Sequence, residues 1–326
     1  MIITRTPLRI TLGGGGTDLP SYYERFGGSV IAAAINKYIF VSLNRTFTPG
    51  YLLKYSELER VDKVDDIEHA IIRETLRAHD LDPALELVSV ADIPTGTGLG
   101  SSGTFTVGLL RAVHAQLRDT VSPMSLAEEA CWIEMERLNR AVGKQDQYIA
   151  SVGGLMCLEF RPDGTVDASP LRISNDTLHD LEEHLLMFFT GFSRNAEGVL
   201  KEQKTLSESS DESMLENLHV VKRLGAESRE ALEAGDTLAY GAIMRKHWEH
   251  KKGRSRSMSN GDIDRWYRAG IESGAVGGKL VGAGGGGFLL FYTRDAASLR
   301  RAMLAEGLEE MRFQFDHDGS TVLART

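Results

Sequence analysis

Cysteine is scarce in this sequence. Only Cys131 and Cys157 occur among the 326 residues, and their spacing matches no metal-ligand pair. The cysteines therefore indicate neither a disulfide framework nor a zinc site. Their low number favours a reducing compartment.

Long apolar runs and an excess of positive charge are also missing. No segment approaches the roughly 18 apolar residues of a membrane span, and Arg5 and Arg9 interrupt the apolar N-terminal segment, so we expect neither a span nor a signal peptide. The net charge of −9 argues against a protein that coats nucleic acid, because neutralising phosphates requires a basic surface. We therefore predict a cytoplasmic protein without a nucleic-acid or membrane partner.

Length and composition favour a two-domain globular protein. Hydrophobic residues make up 42% of the chain and charged residues 25%, and 326 residues exceed the size of most single cores. Residues 1–60 have the pattern of short strands joined by glycine turns, with GGSVIAAAI and YIFVSLNRTF as separate strands. A polar segment at residues 162–170 predicts a first domain of residues 1–175, followed by an α+β domain of residues 176–326.

A glycine-rich loop, PTGTGLGSSG at residues 94–103, follows a predicted strand and precedes a predicted helix. Its alternating glycines let the backbone approach a ligand closely, and the helix start supplies free amide donors and a positive dipole end. This arrangement is typical of polyphosphate binding, although no GxxxxGK[ST] motif is present; a plain flexible loop is the alternative. The residues predicted to bind the cofactor are Pro94, Gly96, Thr97, Gly98, Leu99, Gly100, Ser101 and Ser102.

Two further glycine clusters flank this loop in the chain. Residues 7–18, PLRITLGGGGTD, end in Asp18, and on residue type alone a simple turn is an equally good interpretation. Residues 282–288, GAGGGGF, contain GxGxxG, but the following FLLFY predicts a strand where a dinucleotide-binding fingerprint requires a helix. We therefore expect a close backbone approach to a ligand or a loop there.

Two carboxylates have contexts that point to chemistry. On a helix, Glu134 would share the small or apolar face of Ala130 and Leu138, so its charge would face inward and require a cation. Glu136 is predicted to be better solvated. Asp146 lies in VGKQDQ, and an aspartate taken alone there is more typical of a turn or a helix cap.

The three glycine stretches, in this order, resemble the three signature motifs of the GHMP kinases. The resemblance implies that the loop at residues 94–102 binds the triphosphate of ATP, that Asp146 is catalytic and that Arg9 assists it. It also implies a Mg²⁺ site at Ser102 and Glu134. The residues predicted to bind the substrate are Gly15, Gly16, Thr17, Asp18, Arg194, Lys279, Gly284 and Gly285.

The resemblance further implies a fold and a reaction. The fold is α+β, with a ribosomal-S5-like α/β N-terminal domain, a ferredoxin-like α+β C-terminal domain and the active site in the cleft. Within the family, GGGGTDLPSYYERFGGSVI, VGKQDQYIASVGG and GGKLVGAGGGGFLL look most like the D-glycero-D-manno-heptose 7-phosphate 1-kinases. The implied reaction is ATP-dependent phosphorylation of the anomeric 1-hydroxyl of that sugar phosphate, for nucleotide-activated heptose in capsule or lipopolysaccharide synthesis.

Gly15 and Gly16 distinguish the sequence from the galactokinase pattern, which has a Glu-His pair there. The loss of two sugar-contacting side chains argues against galactose and predicts space for a bulkier sugar. A phosphorylated sugar needs a second anion site, for which Arg194 and Lys279 are candidates. A basic run, by itself more typical of a solvated helix face, adds Arg245, Lys246, Lys251, Lys252, Arg254 and Arg256.

Three alternative functions remain open at the level of the sequence. A kinase for another sugar, such as galactose or fucose, would share the ATP motifs. A catalytically silent binding protein of the same fold would show no turnover, and a nicotinamide oxidoreductase would bind its own cofactor. The oligomeric state is also open, with a homodimer as one option.

Overall fold

The computed structural model describes residues 1–81, 83–191, 201, 203, 205–207, 211–254, 258–282 and 284–326. The strands of this part are β1 (Ile2–Gly13), β2 (Gly28–Arg45), β3 (Tyr51–Lys54), β4 (Leu58–Val61), β5 (Leu85–Ala91), β6 (Leu155–Phe160), β7 (Val166–Pro170), β8 (Leu185–Phe189), β9 (Ala275–Leu280), β10 (Phe288–Thr293), β11 (Glu309–Glu310) and β12 (Thr321–Arg325). The helices are α1 (Pro20–Phe26), α2 (Ala70–Ala78), α3 (Ser101–Leu117), α4 (Pro123–Cys131), α5 (Gln145–Val152), α6 (Asn175–His184), α7 (Glu212–Glu233), α8 (Thr237–Lys252), α9 (Gly261–Glu272) and α10 (Ala296–Ala305). A 3₁₀ turn covers Val64–Asp66, and α4 continues into a π-helical turn, Trp132–Arg137.

Two sheets form the framework of the molecule. In the described part of the chain, eight strands make a sheet with the order β12-β1-β2-β5-β3-β4, to which β6 and β7 are added along β2. Its pairings are antiparallel except that of β3 with β5. The second sheet is antiparallel and has the order β11-β8-β10-β9. The mixed α+β class predicted from the sequence is confirmed.

Strand β2 is one continuous element of 18 residues, so the prediction of two separate strands was wrong. Along one edge it pairs first with β6 and then with β5, and β1 follows its other edge. The register with β1 shifts after Pro7, where Asn36 and Lys37 form a bulge in β2. Pro7 has no amide proton to donate, and the bulge absorbs this irregularity without ending the strand.

Helix α3 fixes the position of the glycine-rich loop because it packs closely on β1. A Cβ atom at Gly108 would lie 2.8 Å from Oγ1 of Thr6, and the Thr4 hydroxyl donates to the Gly108 carbonyl at 2.9 Å. Glycine at this position therefore lets the helix and the strand approach each other. The N-terminus of α3, which directly follows the loop, is held firmly as a result.

The two ends of the chain lie together in the first sheet. Strand β12 pairs with β1, and the hydroxyls of Thr6 and Ser320 are hydrogen-bonded at 2.9 Å. Apart from β12, the strands of the predicted domain of residues 1–175 lie in the first sheet and those of the predicted domain of residues 176–326 lie in the second. The boundary between the domains stays a prediction. None of the described helices is both long and apolar enough to cross a membrane.

Candidate active site

A cavity of about 1040 Å³ is lined by elements of both sheets. One wall is formed within residues 9–18, 89–105 and 140–146, and the opposite wall within residues 247–254 and 279–282. The three glycine clusters and both predicted carboxylate sites contribute to these walls or lie directly behind them. This is the cleft to which the sequence assigned the active site.

The glycine-rich loop presents free hydrogen-bond donors to the cavity. Gly96, Gly98 and Gly100 have φ values of 77°, 83° and 80°, in the left-handed region that favours glycine. Gly100 directly precedes α3 and supplies no side-chain cap, so the first amides of the helix remain available. The buried hydroxyl of Ser101 also has no hydrogen-bond partner among the described residues. An uncapped helix start beside an unused hydroxyl matches the needs of a phosphate group.

Arg9 and Asp146 form an ion pair next to this loop. Nε and Nη2 of Arg9 lie 2.7 and 2.6 Å from Oδ1 of Asp146, and Nη1 donates to the Gly98 carbonyl at 2.6 Å. Asp146 stands in the first turn of α5, with 26% of its side chain exposed. Both contacts use the same carboxylate oxygen, and no described residue donates to Oδ2. That oxygen is therefore available to accept a proton from a ligand.

Asp18 lies buried on the same wall. Its Oδ1 accepts the amide of Gly16 at 3.1 Å, and its Oδ2 accepts the backbone and side-chain nitrogens of Gln145 at 3.3 and 3.1 Å. Burial, and then the negative charge of Asp146, raises the pKa of Asp18 above its ordinary value. Gln145 was not among the predicted site residues, although its position directly before Asp146 was an available signal.

Glu134 is completely buried in the π-helical turn, whereas Glu136 is exposed, as the sequence pattern predicted. It accepts hydrogen bonds from the Ser102 hydroxyl and, at 2.9 Å, from Nε2 of Gln147. Burial raises the pKa of Glu134, although these hydrogen bonds oppose the change. Nη1 of Arg140 lies 2.9 Å from Oγ of Ser102 and 3.5 Å from Oε2 of Glu134. Arg140, which the sequence analysis did not identify, thus supplies the positive charge that Glu134 requires.

Arg254 and Gln203 lie against Gly16, so a side chain there would have no room. Gly15 and Gly16 both line the cavity, and room for a bulkier sugar stays a prediction. Arg254 donates to the Gly15 carbonyl at 3.2 and 3.1 Å, and Gln203 donates to the Gly16 carbonyl at 3.1 Å. A Cβ atom at Gly16 would lie only 2.6 Å from Nη1 of Arg254. Glycine at this position therefore admits the guanidinium to the cavity wall.

Three further basic residues join Arg254 to form a basic cluster, which we define as His247, Lys251, Arg254 and Lys279. All four are buried and all line the cavity. The two lysines each donate to main-chain carbonyls, Lys279 to that of Leu12 at 2.9 Å. No described carboxylate forms an ion pair with any member of the cluster.

Burial lowers the pKa of every member of the basic cluster. Burial, and then the charge of Arg9, lowers the pKa of Lys279 to about 7, and burial lowers that of Arg254 to about 10. Burial, followed by the neighbouring cations, lowers the pKa values of Lys251 and His247 well below their ordinary values. Both ring nitrogens of His247 lack hydrogen-bond partners among the described residues. An anion bound here would satisfy these donors and favour their charged forms.

The other end of the cavity is apolar and aromatic. The ring of His69 lies 4.7 Å from that of Tyr55 and 5.1 Å from that of Phe105, and Ile39 and Ile71 extend the surface. Burial, and then the charge of Arg140, lowers the pKa of His69, which favours its neutral form. Such a surface suits a flat heterocycle.

Several predicted residues are not among those that line the cavity: Thr17, Thr97, Leu99, Gly284 and Gly285. The Thr17 hydroxyl lies 2.9 Å from the carbonyls of Gly14 and Ser29, so it holds the turn together. Gly285 donates its amide to the Met258 carbonyl at 3.0 Å. Arg245 and Lys246 of the basic run are exposed. Arg194 and Arg256 lie outside the described residues.

Two family models match the chain, the GHMP kinases N terminal domain at residues 67–154 and the GHMP kinases C terminal domain at residues 228–309. D-glycero-alpha-D-manno-heptose 7-phosphate kinase of Campylobacter jejuni is 32% identical over 98% of this chain and 97% of its own length. A solved structure from Campylobacter jejuni shares 30% identity and a TM-score of 0.77, covering 98% of this chain and 97% of that one. The structure of a D-glycero-D-manno-heptose 1-phosphate kinase from Bacteroides thetaiotaomicron covers both chains fully with a TM-score of 0.81 and 24% identity, and shows the same fold.

Proposed function

Because this chain belongs to the GHMP kinases and is therefore a phosphotransferase, we propose that it phosphorylates the anomeric 1-hydroxyl of D-glycero-D-manno-heptose 7-phosphate with ATP. The kinase from Campylobacter jejuni supports the choice of sugar. The observation that carries the proposal is the basic cluster, because four buried basic side chains that form no ion pair among the described residues favour a substrate that already bears a phosphate. Galactose and fucose have no group to occupy it.

The proposal gives ATP one orientation in the cavity. The apolar surface around Tyr55 and Phe105 receives the adenine ring, and the triphosphate follows residues 96–102 to the N-terminus of α3. Arg254 contacts Gly15, in the segment that leads to Asp18, rather than the phosphate loop. Arg254 is therefore available to the phosphate of the second substrate.

The residues around Ser102 and Glu134 fit a Mg²⁺ ion. A hydroxyl oxygen and a carboxylate oxygen in direct contact are the hard ligands that Mg²⁺ prefers. The guanidinium of Arg140 lies next to both residues, which shows that they accommodate a positive charge. Ser102 and Glu134 would hold the ion. When bound, Mg²⁺ neutralises charge on the β- and γ-phosphates.

Asp146 is the proton acceptor of the proposed reaction. Its free Oδ2 takes the proton of the 1-hydroxyl as the sugar oxygen bonds to the γ-phosphorus and the bond to ADP breaks. Arg9 holds Oδ1 and keeps the carboxylate in one orientation. Phosphoryl transfer has a loose transition state and depends mainly on positioning, so a carboxylate already paired with an arginine is a sufficient base.

A substrate panel tests the proposal. ADP release is measured with heptose 7-phosphate, the same heptose without phosphate, galactose, fucose and a hexose 6-phosphate. We expect removal of the phosphate to lower kcat/KM by about 100-fold, since charge-assisted hydrogen bonds contribute about 1.5–3 kcal/mol each. Equal kcat/KM for the two heptoses would contradict the proposal, and no turnover with any sugar would favour a binding protein.

The position of the new phosphate is checked by NMR of the product. We expect a heptose 1,7-bisphosphate, which would enter the synthesis of nucleotide-activated heptose for capsule or lipopolysaccharide in the cytoplasm. Phosphorylation at any other hydroxyl would contradict the proposed geometry, in which the 1-hydroxyl faces Asp146.

A further inference from the structure

Two histidines and a glutamate lie close together, and none of the three lines the cavity. His79 directly follows α2, His114 lies on α3 and Glu129 lies on α4. Nε2 of His79 is 2.9 Å from Oε1 of Glu129, and Nε2 of His114 is 2.7 Å from Oε2. One ligand atom from each residue lies within 4.8 Å of the others. We propose that these three side chains bind one divalent transition-metal ion of the Zn²⁺ class.

The ring of His79 is oriented as that of a metal ligand. Its Nδ1 lies 2.9 Å from the Thr75 carbonyl, and because a carbonyl oxygen only accepts, Nδ1 carries the proton. A neutral ring then turns the lone pair of Nε2 toward the carboxylate of Glu129. Two acceptors face each other in this way only if a proton or a metal ion lies between them. Metal-bound histidines typically donate their outer N–H to such a carbonyl.

His114 turns the same ring nitrogen toward Glu129. Its Nε2 faces the second oxygen of Glu129, and its buried Nδ1 has no hydrogen-bond partner among the described residues. A carboxylate oxygen of Asp119 lies 3.6 Å from Nδ1. Protonation of Nδ1 toward Asp119 frees the Nε2 lone pair for an ion. Both rings thus turn their inner nitrogens toward Glu129 and their outer nitrogens toward an oxygen.

The donor set selects the class of ion. Two imidazole nitrogens and one carboxylate suit Zn²⁺ and related ions, whereas Mg²⁺ and Ca²⁺ prefer oxygen ligands alone. Three protein ligands leave a further position for water. The side chains of His79, His114 and Glu129 are 10%, 14% and 25% exposed, so the ion can enter from solvent.

The site connects three helices that also reach the cavity. His69, the N-cap of α2, lines its apolar end, α3 begins at the phosphate loop, and α4 runs into the turn that carries Glu134. An ion at the proposed site would tie these helices together behind the ATP wall. We therefore expect a stabilising role.

Calorimetric titration of the chelator-treated full-length protein with Zn²⁺ tests the proposal. We expect one equivalent to bind, with a rise in the thermal midpoint. His79→Gln and His114→Gln should each weaken binding by at least about tenfold. His184→Gln is the matched control, because His184 lies 3.4 Å from Asp180 in a pair without a second histidine. It should bind as the wild type does.

Two further measurements test the proposed metal site independently of the histidine variants. Asp146→Asn should retain Zn²⁺ binding, which separates this site from the cavity. Co²⁺ bound to the wild-type protein should give the visible absorption of a four-coordinate nitrogen and oxygen site, a result that does not depend on any variant folding. Absence of both Zn²⁺ binding and Co²⁺ absorption, or unchanged binding by folded His79→Gln and His114→Gln, would overturn the proposal.

Discussion

At the scale of single residues, the candidate site depends on positions that carry no side chain. A Cβ atom at Gly143 would lie 1.9 Å from Oδ2 of Asp18, and one at Gly103 would lie 2.7 Å from Cβ of Asp146. These glycines let two carboxylates pack directly against the backbone. The positions of Asp18 and Asp146 are therefore set by the steric fit of their neighbours as well as by hydrogen bonds.

Gly143→Ala should displace Asp18 and break its contacts with Gln145. We expect kcat/KM to fall by about 100-fold, since a displacement of about 1 Å in a site can cost that much. Steady-state kinetics check this result. Gly261→Ala is the control, because no atom lies within 4 Å of a Cβ built there. Equal activity of the two variants would refute the role of Gly143.

Asp146→Asn should remove turnover while leaving ATP binding almost unchanged. The amide cannot accept the proton of the sugar hydroxyl, so we expect kcat to fall by about 10²–10⁴-fold. Single-turnover kinetics and calorimetry with ATP separate the two effects. Asp163→Asn, at an exposed aspartate, controls for the change in charge. Normal kcat in Asp146→Asn would exclude Asp146 as the base.

Lys279 should make substrate binding depend on pH. Its pKa of about 7 in the free protein means that it is charged below that pH and loses its charge above it. A phosphate requires the charged form, so KM for the sugar phosphate should rise by up to about tenfold per pH unit above about pH 7. Lys279→Met should raise KM at neutral pH and remove this dependence. A flat profile in the wild type would contradict the prediction.

At the scale of elements, the repeat of α8 sorts the basic run into two faces. His247 and Lys251 lie four residues apart on the buried face, with Arg254 three residues further, whereas Arg245 and Lys246 are exposed. The spacing was visible in the sequence. The spacing alone does not show which face is buried, because both faces carry positive residues. Packing of α8 against β9 determines the buried face.

Lys251→Ala and Arg254→Ala should weaken binding of the sugar phosphate selectively. We expect KM for that substrate to rise by at least about tenfold, with KM for ATP nearly unchanged, because each loses a charge-assisted hydrogen bond. Lys246→Ala, on the exposed face of the same helix, should behave as the wild type does. Equal rises in both KM values would assign the basic cluster to ATP.

The local structure of the glycine-rich loop could be predicted because a strand, three glycines and a helix start lie within a few residues of sequence, while its binding of phosphate stays a prediction. Arg140 could not, because its contact with Ser102 and Glu134 joins α3 to the segment after a π-helical turn. The continuous β2 was missed for a similar reason. Its bulge is defined by the register of β1, which no local pattern reports.

At the scale of the whole molecule, the cavity brings together charges that each sheet holds separately. Arg9 comes from β1 and Lys279 from β9, and the charge of Arg9 lowers the pKa of Lys279. Burial without an ion pair disfavours the charged forms of the basic cluster in the free protein, whereas a bound phosphate requires them. Stability and substrate binding therefore oppose each other at the basic cluster.

His247→Leu tests directly whether stability and substrate binding oppose each other at the basic cluster. Both ring nitrogens of His247 are buried without a partner in the described part of the chain, and an apolar side chain removes this penalty. We expect the free energy of unfolding to rise by about 1 kcal/mol, or roughly 2 °C in Tm. KM for the sugar phosphate should rise at the same time, because the ring no longer donates to the phosphate.

Thermal unfolding without ligand and steady-state kinetics measure the two effects, with His184→Leu, outside the cavity, as the control. A variant that loses stability, or that gains it without loss of affinity, would refute an anion-binding role for His247.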